Sequence, residues 1–227
     1  MTAGKITVRT ICMIRHGTSR WNELGIHQGR AVGVSLSPTG VAEATILANF
    51  LANFLTHWNP SAVYSSPLQR ASETAEILIR RAGWEVREIS IDDRLNEWDI
   101  PQWEGKTAAE IKRYYPLEYS QFQINPHQFA LQGAETLSDV RKRAMQAFDD
   151  LVTSHAGLIV MVTHAAVIRA VVLTLLGAPL ANYRRIMVDP CSATLVIFRN
   201  KPEIQVINWT PKLQLVQDNA KEVLGVV

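Results

Sequence analysis

Ile6-Thr7-Val8-Arg9-Thr10-Ile11-Cys12-Met13-Ile14 is a run of mostly β-branched and apolar residues that stops abruptly at Arg15-His16-Gly17-Thr18-Ser19. Such a run, bounded by polar and glycine residues, reads as a buried strand. The residues just after its end are two cationic or titratable groups and a glycine, a combination with little use in a core. The same pattern returns downstream. Leu158 to Val162 is a second strongly apolar strand, followed by Thr163-His164-Ala165, and shorter strands are expected at Ala62 to Ser65 and Val86 to Ile91.

Helical periodicity fills the intervals. Ser37-Pro38 places an N-cap before a proline at the first helical position. Ala44, Leu47, Ala48, Leu51, Leu55 and Trp58 then share one face, which predicts a helix to about His57. Ser66-Pro67-Leu68-Gln69 has the spacing of a capping box, with a helix to about Arg81 and Gly83 beyond its end. Thr136 to His155 is amphipathic, with Leu137, Val140, Ala144, Phe148 and Leu151 on one side, and His164 to Leu176 reads as a helix ending at Gly177. Thr194 to Phe198 and Ile204 to Trp209 read as a closing hairpin; the tail after Pro211 has little periodicity. Strands alternating with helices predict an α/β chain, a three-layer α/β/α arrangement around a largely parallel sheet. Arg94 to Gly133 breaks the pattern. It carries Pro101, Pro116 and Pro126 with seven aromatic residues, and reads as an irregular, partly helical cap with one or two short helices lying outside the core. The expectation is a single domain over residues 1–227, with the cap-like excursion at about 94–133.

Composition narrows the function. The 227 residues carry 23 Lys plus Arg against 21 Asp plus Glu, a net +2 with no basic run, which disfavours phosphate-tracking nucleic-acid binding. An apolar share of 47% excludes disorder. The most apolar stretch, 158–180, is interrupted by His164, Arg169, Gly177 and Pro179, so no membrane span is expected. Cys12 and Cys191 cannot build a disulfide framework and read as buried thiols. With no signal-peptide pattern at Met1 to Lys5, a cytoplasmic location is expected.

In open α/β sheets ligands bind beyond the carboxyl ends of the strands. The residues standing there are Arg15, His16, Arg70, Glu97 and His164, a set suited to holding an anion while one carboxylate moves a proton. Arg70 sits in the first turn of a helix, where the macrodipole disfavours a cation by a few tenths of a kcal/mol, so its placement asks for an anionic partner. None of the six histidines falls in a His-x-x-x-His or Glu-x-x-His spacing. A zinc site made from His16, His164 and Glu97 would be opposed by two guanidiniums, so neither a metal nor a cofactor is expected. Phosphate-loop, dinucleotide and Gly-x-Ser-x-Gly patterns are missing from the sequence.

Arg15-His16-Gly17-Thr18-Ser19-Arg20-Trp21-Asn22 resembles the Arg-His-Gly signature of the histidine phosphatase superfamily, the phosphoglycerate mutase-like proteins. The likeness continues through Leu36-Ser37-Pro38-Thr39-Gly40, Tyr64-Ser65-Ser66-Pro67-Leu68-Gln69-Arg70-Ala71, Arg94-Leu95-Asn96-Glu97, Trp103-Glu104-Gly105 and Val162-Thr163-His164-Ala165-Ala166-Val167-Ile168-Arg169. It covers about residues 8 to 200. The resemblance implies a phosphoglycerate mutase-like fold and a metal-independent phosphatase. His16 would be the nucleophile, Arg15, Arg70 and His164 would hold the phosphoryl oxygens, and Glu97 would be the acid and base. Asn22, Gln28, Gly29 and Ala165 would complete the substrate-binding set, with Arg20 and Arg30 reaching the rest of the substrate. Ala165 stands where relatives carry glycine, and Thr18 and Asp189 are further departures.

The expected substrate is a small phosphate monoester, with an apolar or ring-shaped body suggested by the aromatic excursion. A phosphoglycerate mutase is the alternative. The stretch between Glu97 and His164 is shorter than in family mutases, which resembles the phosphatase branch. A non-catalytic phospho-ligand binding module is a further alternative. No nucleic acid or membrane partner is expected, and a homodimer is left open.

Overall fold

The computed structural model describes residues 9–54 and 59–211, without the side chains of Asn53 and Phe54. Strand β1, Arg9–Arg15, lies inside the sheet, parallel to β4, Gly157–Thr163, on one side and antiparallel to β5, Ala193–Phe198, on the other. β2, Ala62–Ser65, and β3, Ile89–Ile91, extend the parallel part beyond β4, and β6, Pro202–Trp209, pairs with β5 as the hairpin. The order is β3-β2-β4-β1-β5-β6. Four neighbouring strands are parallel and the C-terminal hairpin is antiparallel.

Period-2 alternation explains why β1 and β4 carry unbroken apolar runs. Ile11, Met13, Ile159 and Met161 point into one core, whereas Cys12, Ile14, Val160 and Val162 point into the other. The first core is closed by α6, Leu137–Ser154, and α7, Ala165–Leu175; the second by α2, Pro38–Phe54, and α3, Gln69–Ala82. This is the expected three-layer α/β/α fold. The helix ends follow local chemistry. The Ser37 hydroxyl accepts from the Gly40 amide at the start of α2, Thr136 and Asp139 form a reciprocal capping box at α6, and Gly83 ends α3 at φ 69°.

Several expectations are corrected. The strand expected at Val86 to Ile91 is only Ile89–Ile91. Its outer edge is unpaired among the described residues, so fewer residues are held in a ladder. The expected end of α2, with Leu55, His57 and Trp58, lies outside the described residues, as do Ile6 to Val8 and the tail after Pro211. Ser66 does not cap α3. That helix starts at Gln69 with Leu68 as an N-cap lacking a side-chain bond; the Ser66 hydroxyl accepts from the Leu68 amide at 3.2 Å and is otherwise engaged by His164 and Asn96.

The largest correction concerns residues 94–133. They do form two short helices, α4, Ala108–Tyr114, and α5, Pro116–Ile124, with 3-10 turns at Asp93–Leu95, Pro101–Trp103 and Pro126–Gln128. They are not outside the core. Trp98, Ile100, Trp103, Ile111 and Phe129 are each at most 3% exposed and belong to the α6–α7 core. Trp103 meets Phe122 edge-to-face and Phe129 at a tilt, with ring centroids 5.1 and 5.2 Å apart. Burying such large rings outweighs the poor local regularity that three prolines impose. No helix among the described residues is long and apolar enough to cross a membrane.

Candidate active site

The carboxyl ends of β1, β2 and β4 lie side by side, with Arg15 opposite Thr163 and Ser65 opposite Val162 in the ladder. The residues that follow these ends are therefore brought together by register alone. His16 and His164 face each other with ring centroids 5.0 Å apart and are 2% and 0% exposed. A cavity of about 200 Å³ opens above them. Arg15, His16, Asn22, Gln28, Gly29, Arg70, Glu97 and Ala165 all line it. Of the residues proposed from sequence, His164, Arg20 and Arg30 are not in the lining; His164 packs against the His16 ring.

The backbone fixes the His16 ring. Its Nδ1 lies 2.7 Å from the carbonyl oxygen of Gly17. A carbonyl only accepts, so Nδ1 carries the proton and Nε2 keeps its lone pair. Burial pushes the His16 pKa well below the usual imidazole value, and the charges of Arg70 and Arg15 push it further, against a smaller opposing effect of the Gly17 bond. His164 is held neutral in the same way, by burial first and then by Arg70.

Gly17 is needed for this approach. A Cβ there would meet the Gly40 carbonyl oxygen at 2.7 Å, and one on Gly40 would meet the Thr18 carbonyl oxygen at 2.0 Å. The Gly17 amide is anchored to the Thr74 hydroxyl on α3 at 3.1 Å.

Arg70 is 1% exposed. One nitrogen, Nη2, donates to the Gly29 carbonyl at 2.8 Å, while Nε and Nη1 are buried without a protein partner. Arg15 donates Nη1 to the Val188 carbonyl at 2.7 Å and leaves Nε unpaired. Burial lowers the Arg70 pKa to about 10 and that of Arg15 in the same direction, so the Arg70 guanidinium still stays charged at neutral pH. Buried guanidinium donors without acceptors are costly in a core and suited to an incoming oxyanion. Glu97 is electrostatically coupled to both arginines, and its Oε1 accepts from the Trp98 amide at 2.8 Å.

The remaining residues are partly committed. The Asn22 carbonyl oxygen accepts from the Ser19 amide at 3.0 Å, so its NH₂ end is the one left to donate. Gln28 accepts from the Ser19 hydroxyl through Oε1 at 2.7 Å. Gly29 shapes the cavity at φ 46° and uses its carbonyl on Arg70. Arg30 is not a substrate residue in this geometry. It pairs with Glu135 at 2.7 Å and Asp99 at 3.7 Å and does not line the cavity, nor does the exposed Arg20. Of the seven aromatic rings of the excursion only Trp98 and Phe122 reach the lining, beside Glu97 and Ile100, with Tyr183 from the segment after α7. Trp103 and Phe129 are core. Among the described residues no group of three or more His, Cys, Asp or Glu side chains is placed to hold a metal.

Sequence reasoning missed three sets of residues. Ser66 and Asn96 latch His164, Arg143 and Glu135 hold the backbone around Glu97, and Arg169 and His27 line the cavity. For Arg169 a signal was available, since it stands one helical turn from Ala165 on the same face. For the others the pairing is long-range and leaves no pattern in the chain.

A cavity at the carboxyl edge of a parallel sheet, with a neutral imidazole lone pair beside unsatisfied guanidinium donors, defines a class of proteins that act on phosphoryl groups. The chain belongs to the histidine phosphatase superfamily (branch 1), whose model matches residues 11–210. The fold and site are those of a phosphomonoesterase. It is similar to phosphoserine phosphatase 1 of Hydrogenobacter thermophilus, 29% identical over 187 residues, covering 82% of this chain and 85% of that protein. It is also 29% identical over 197 residues to 2-carboxy-D-arabinitol-1-phosphatase of Triticum aestivum, covering 86% of this chain but only 38% of that longer protein. Among solved structures, Bacillus stearothermophilus YhfR superposes with a TM-score of 0.81 at 29% identity, over 87% of this chain and 96% of that one.

Proposed function

We propose that this chain hydrolyses small phosphate monoesters through a phosphohistidine on His16, without a metal. The observation that carries the reading is the bond from His16 Nδ1 to the Gly17 carbonyl, which leaves Nε2 unprotonated beside Arg15 and Arg70.

The Nε2 lone pair attacks phosphorus and the ester P–O bond breaks in line. The leaving alkoxide takes a proton from the Glu97 carboxyl. A water then gives its proton to the Glu97 carboxylate, attacks phosphorus, and the N–P bond breaks to release inorganic phosphate. Proton transfer of this kind contributes about 10²–10⁴-fold. Most of the remaining demand is charge stabilisation and positioning. Arg15 and Arg70 supply it with fixed guanidiniums, the Asn22 amide and the first turn of α7 at Ala165 add further donors, and His164 acts by packing against the His16 ring rather than by donating a proton. A cavity of about 200 Å³ suits an ester of a few carbons; pockets for drug-sized ligands run to about 300–1,000 Å³.

Hydrolysis of para-nitrophenyl phosphate, measured with and without EDTA in the wild type and in His16→Ala, tests the reading. Expected are turnover that survives EDTA, its loss in the variant, and acid-labile, base-stable phosphate on the wild-type protein after rapid quenching. Turnover that survives in His16→Ala, or that EDTA removes and zinc restores, overturns it.

A further inference from the structure

We propose that Asn208 and Asp189 are positioning residues for Arg15: they clasp each other behind the strap of residues 188–192, and that strap holds the Arg15 guanidinium for the phosphoryl group. The inference rests on the phosphatase reading above. It goes beyond that reading by giving a part in oxyanion binding to two residues that do not line the cavity.

The strap meets the end of β1 and the turn after it at several points. The Val188 carbonyl accepts from Arg15 Nη1 at 2.7 Å, and the Ser192 carbonyl accepts from the Arg15 amide at 3.2 Å. The Cys191 amide donates to the Arg15 carbonyl at 3.1 Å and, at 3.4 Å, to that of His16. Its Sγ lies 3.2 Å from where a Cβ on Gly17 would stand. One short segment thus sets both the side chain and the main chain of Arg15. With Nη1 engaged by Val188 and Nε lacking a protein partner, a shift of the Val188 carbonyl turns the whole planar fork.

The strap is held from behind by a ring of two hydrogen bonds. The Asp189 amide donates to Asn208 Oδ1 at 2.5 Å, and Asn208 Nδ2 donates to Asp189 Oδ2 at 2.9 Å. Asn208 lies in β6 where the ladder slips: β6 takes three steps from Trp209 to Val206 while β5 takes two from Ala193 to Leu195. The extra residue is a β-bulge, a feature that re-aims a side chain. The Asn208 amide donates to the Thr194 hydroxyl at 3.3 Å, which ties the bulge back to β5.

Backbone strain falls at the same two places. Among the described residues, the non-glycine residues with positive φ are Cys191, at 52°, and Asn208, at 57°. An L side chain is disfavoured there, less so for Asn than for Cys, and such conformations persist where surrounding contacts over-determine them. Cys191 is in the strap and Asn208 is its clasp. Charge acts in the same direction as geometry. Burial lowers the Arg15 pKa, and the carboxylates of Glu97 and Asp189 act against that.

Vanadate inhibition reads the grip on an oxyanion. Asn208→Gly keeps the left-handed backbone and removes the clasp; inhibition is expected to weaken about 10-fold, the scale of a hydrogen bond to a charged group, with KM rising more than kcat falls. Asn208→Asp sets two carboxylates together and should do the same. Combining it with Asp189→Asn exchanges the partners, rebuilds both bonds and should recover most of the loss. In an Arg15→Met background Asn208→Gly should add little, because its effect runs through Arg15. Equal losses in both backgrounds, no recovery on exchange, or unchanged vanadate affinity in Asn208→Gly overturns the proposal. Hydrogen exchange of the wild type needs no variant to fold. Vanadate should slow the Asp189 and Cys191 amides more than those of α6, and equal slowing or none overturns the proposal as well. Failure of the underlying reading looks different: the wild type would then not hydrolyse para-nitrophenyl phosphate.

Discussion

The Ser66 hydroxyl lies 2.9 Å from Nε2 of His164, and its single proton points to Oδ1 of Asn96 at 3.0 Å. Ser66 Oγ therefore accepts from His164, and also from the Leu68 amide at 3.2 Å. His164 carries its proton on Nε2, and its buried Nδ1 has no protein partner. One hydroxyl thus sets the tautomer and angle of the second histidine. Removing it in Ser66→Ala leaves three buried groups unsatisfied. The variant is expected to lose about 1–3 kcal/mol of stability in urea unfolding and to show weaker vanadate inhibition than the wild type. Unchanged vanadate affinity would show that this latch does not hold His164 against His16 in a way the oxyanion site depends on.

Glu97→Gln separates the acid role from simple charge. The amide keeps the shape and the acceptor for the Trp98 amide but has no proton to give. Esters with poor leaving groups need that proton most. Expected is a loss of about 10²–10⁴-fold for alkyl phosphates and a much smaller one for para-nitrophenyl phosphate. A steady-state comparison across leaving groups of graded pKa checks it, and equal slowing of all esters would remove Glu97 from the acid role.

The three-layer fold was legible because β1 and β4 are buried on both faces and so lack any polar interruption. The main catalytic candidates were legible because strand ends carry few residue types by chance, and Arg70 stood against its own helix dipole. Ser66 was misread for a reason that is also physical. Its sequence position suits an N-cap, and beside the local bond from the Leu68 amide its hydroxyl joins the distant His164 and Asn96, which no local pattern announces. Residues 94–133 were placed outside the core because prolines and aromatics in irregular chain resemble a surface loop until Trp103 and Phe129 meet α6. The commitment of Arg30 to Glu135, 105 positions away, has no local signature either.

Burial and the neighbouring arginines hold three histidines neutral. His27 is pushed down to about 4, by burial and then by Arg70, and His16 and His164 also lie well below the usual value. A depressed pKa means the unfolded chain binds protons before the folded one does. Stability is therefore full above about pH 6.5 and falls with acidification, for His27 over the window from about 6.5 to about 4. Each histidine contributes up to about 1.4 kcal/mol per pH unit inside its window. Urea midpoints of the unliganded protein at pH 7.5, 6, 5 and 4.5 check this, and the slope should lessen in His27→Phe. A flat profile between pH 6.5 and 5 would contradict the neutral, buried state of these rings.

Gly40→Ala tests how closely α2 must approach the turn after His16. The added Cβ would sit 2.0 Å from the Thr18 carbonyl oxygen, a backbone atom that cannot swing aside. Relief requires the 17–19 turn to move, and that turn supplies the carbonyl on His16 Nδ1. The variant is expected to lose about 1–3 kcal/mol and to lose kcat more than KM changes. Gly33→Ala, at an open position with nothing within 4 Å but φ 77°, gives the control for backbone strain alone and should leave kcat unaffected.

Arg143 holds the backbone that carries the proposed acid. Its Nη1 donates to the carbonyls of Arg94 and Asn96 at 2.8 and 2.6 Å, and its Nη2 donates to that of Glu97 at 3.0 Å. Glu135 fixes the guanidinium from the other side, with Oε1 2.8 Å from Nε and Oε2 3.0 Å from Nη2. The Glu135 carbonyl also accepts from the Trp98 indole at 2.8 Å, so both ends of the loop are tied to one residue. Both side chains are mostly buried, at 13% and 19% exposure, and truncating Glu135 leaves Arg143 and Arg30 without their shared acid. Glu135→Ala is accordingly expected to cost about 2–4 kcal/mol. Arg143→Met leaves three carbonyls unbound and should free the Glu97 carboxyl to wander. Its kinetic mark should resemble that of Glu97→Gln: a larger loss for alkyl than for aryl phosphates, with vanadate inhibition near that of the wild type. A uniform loss across leaving groups would mean that Arg143 supports the fold alone and not the position of the acid.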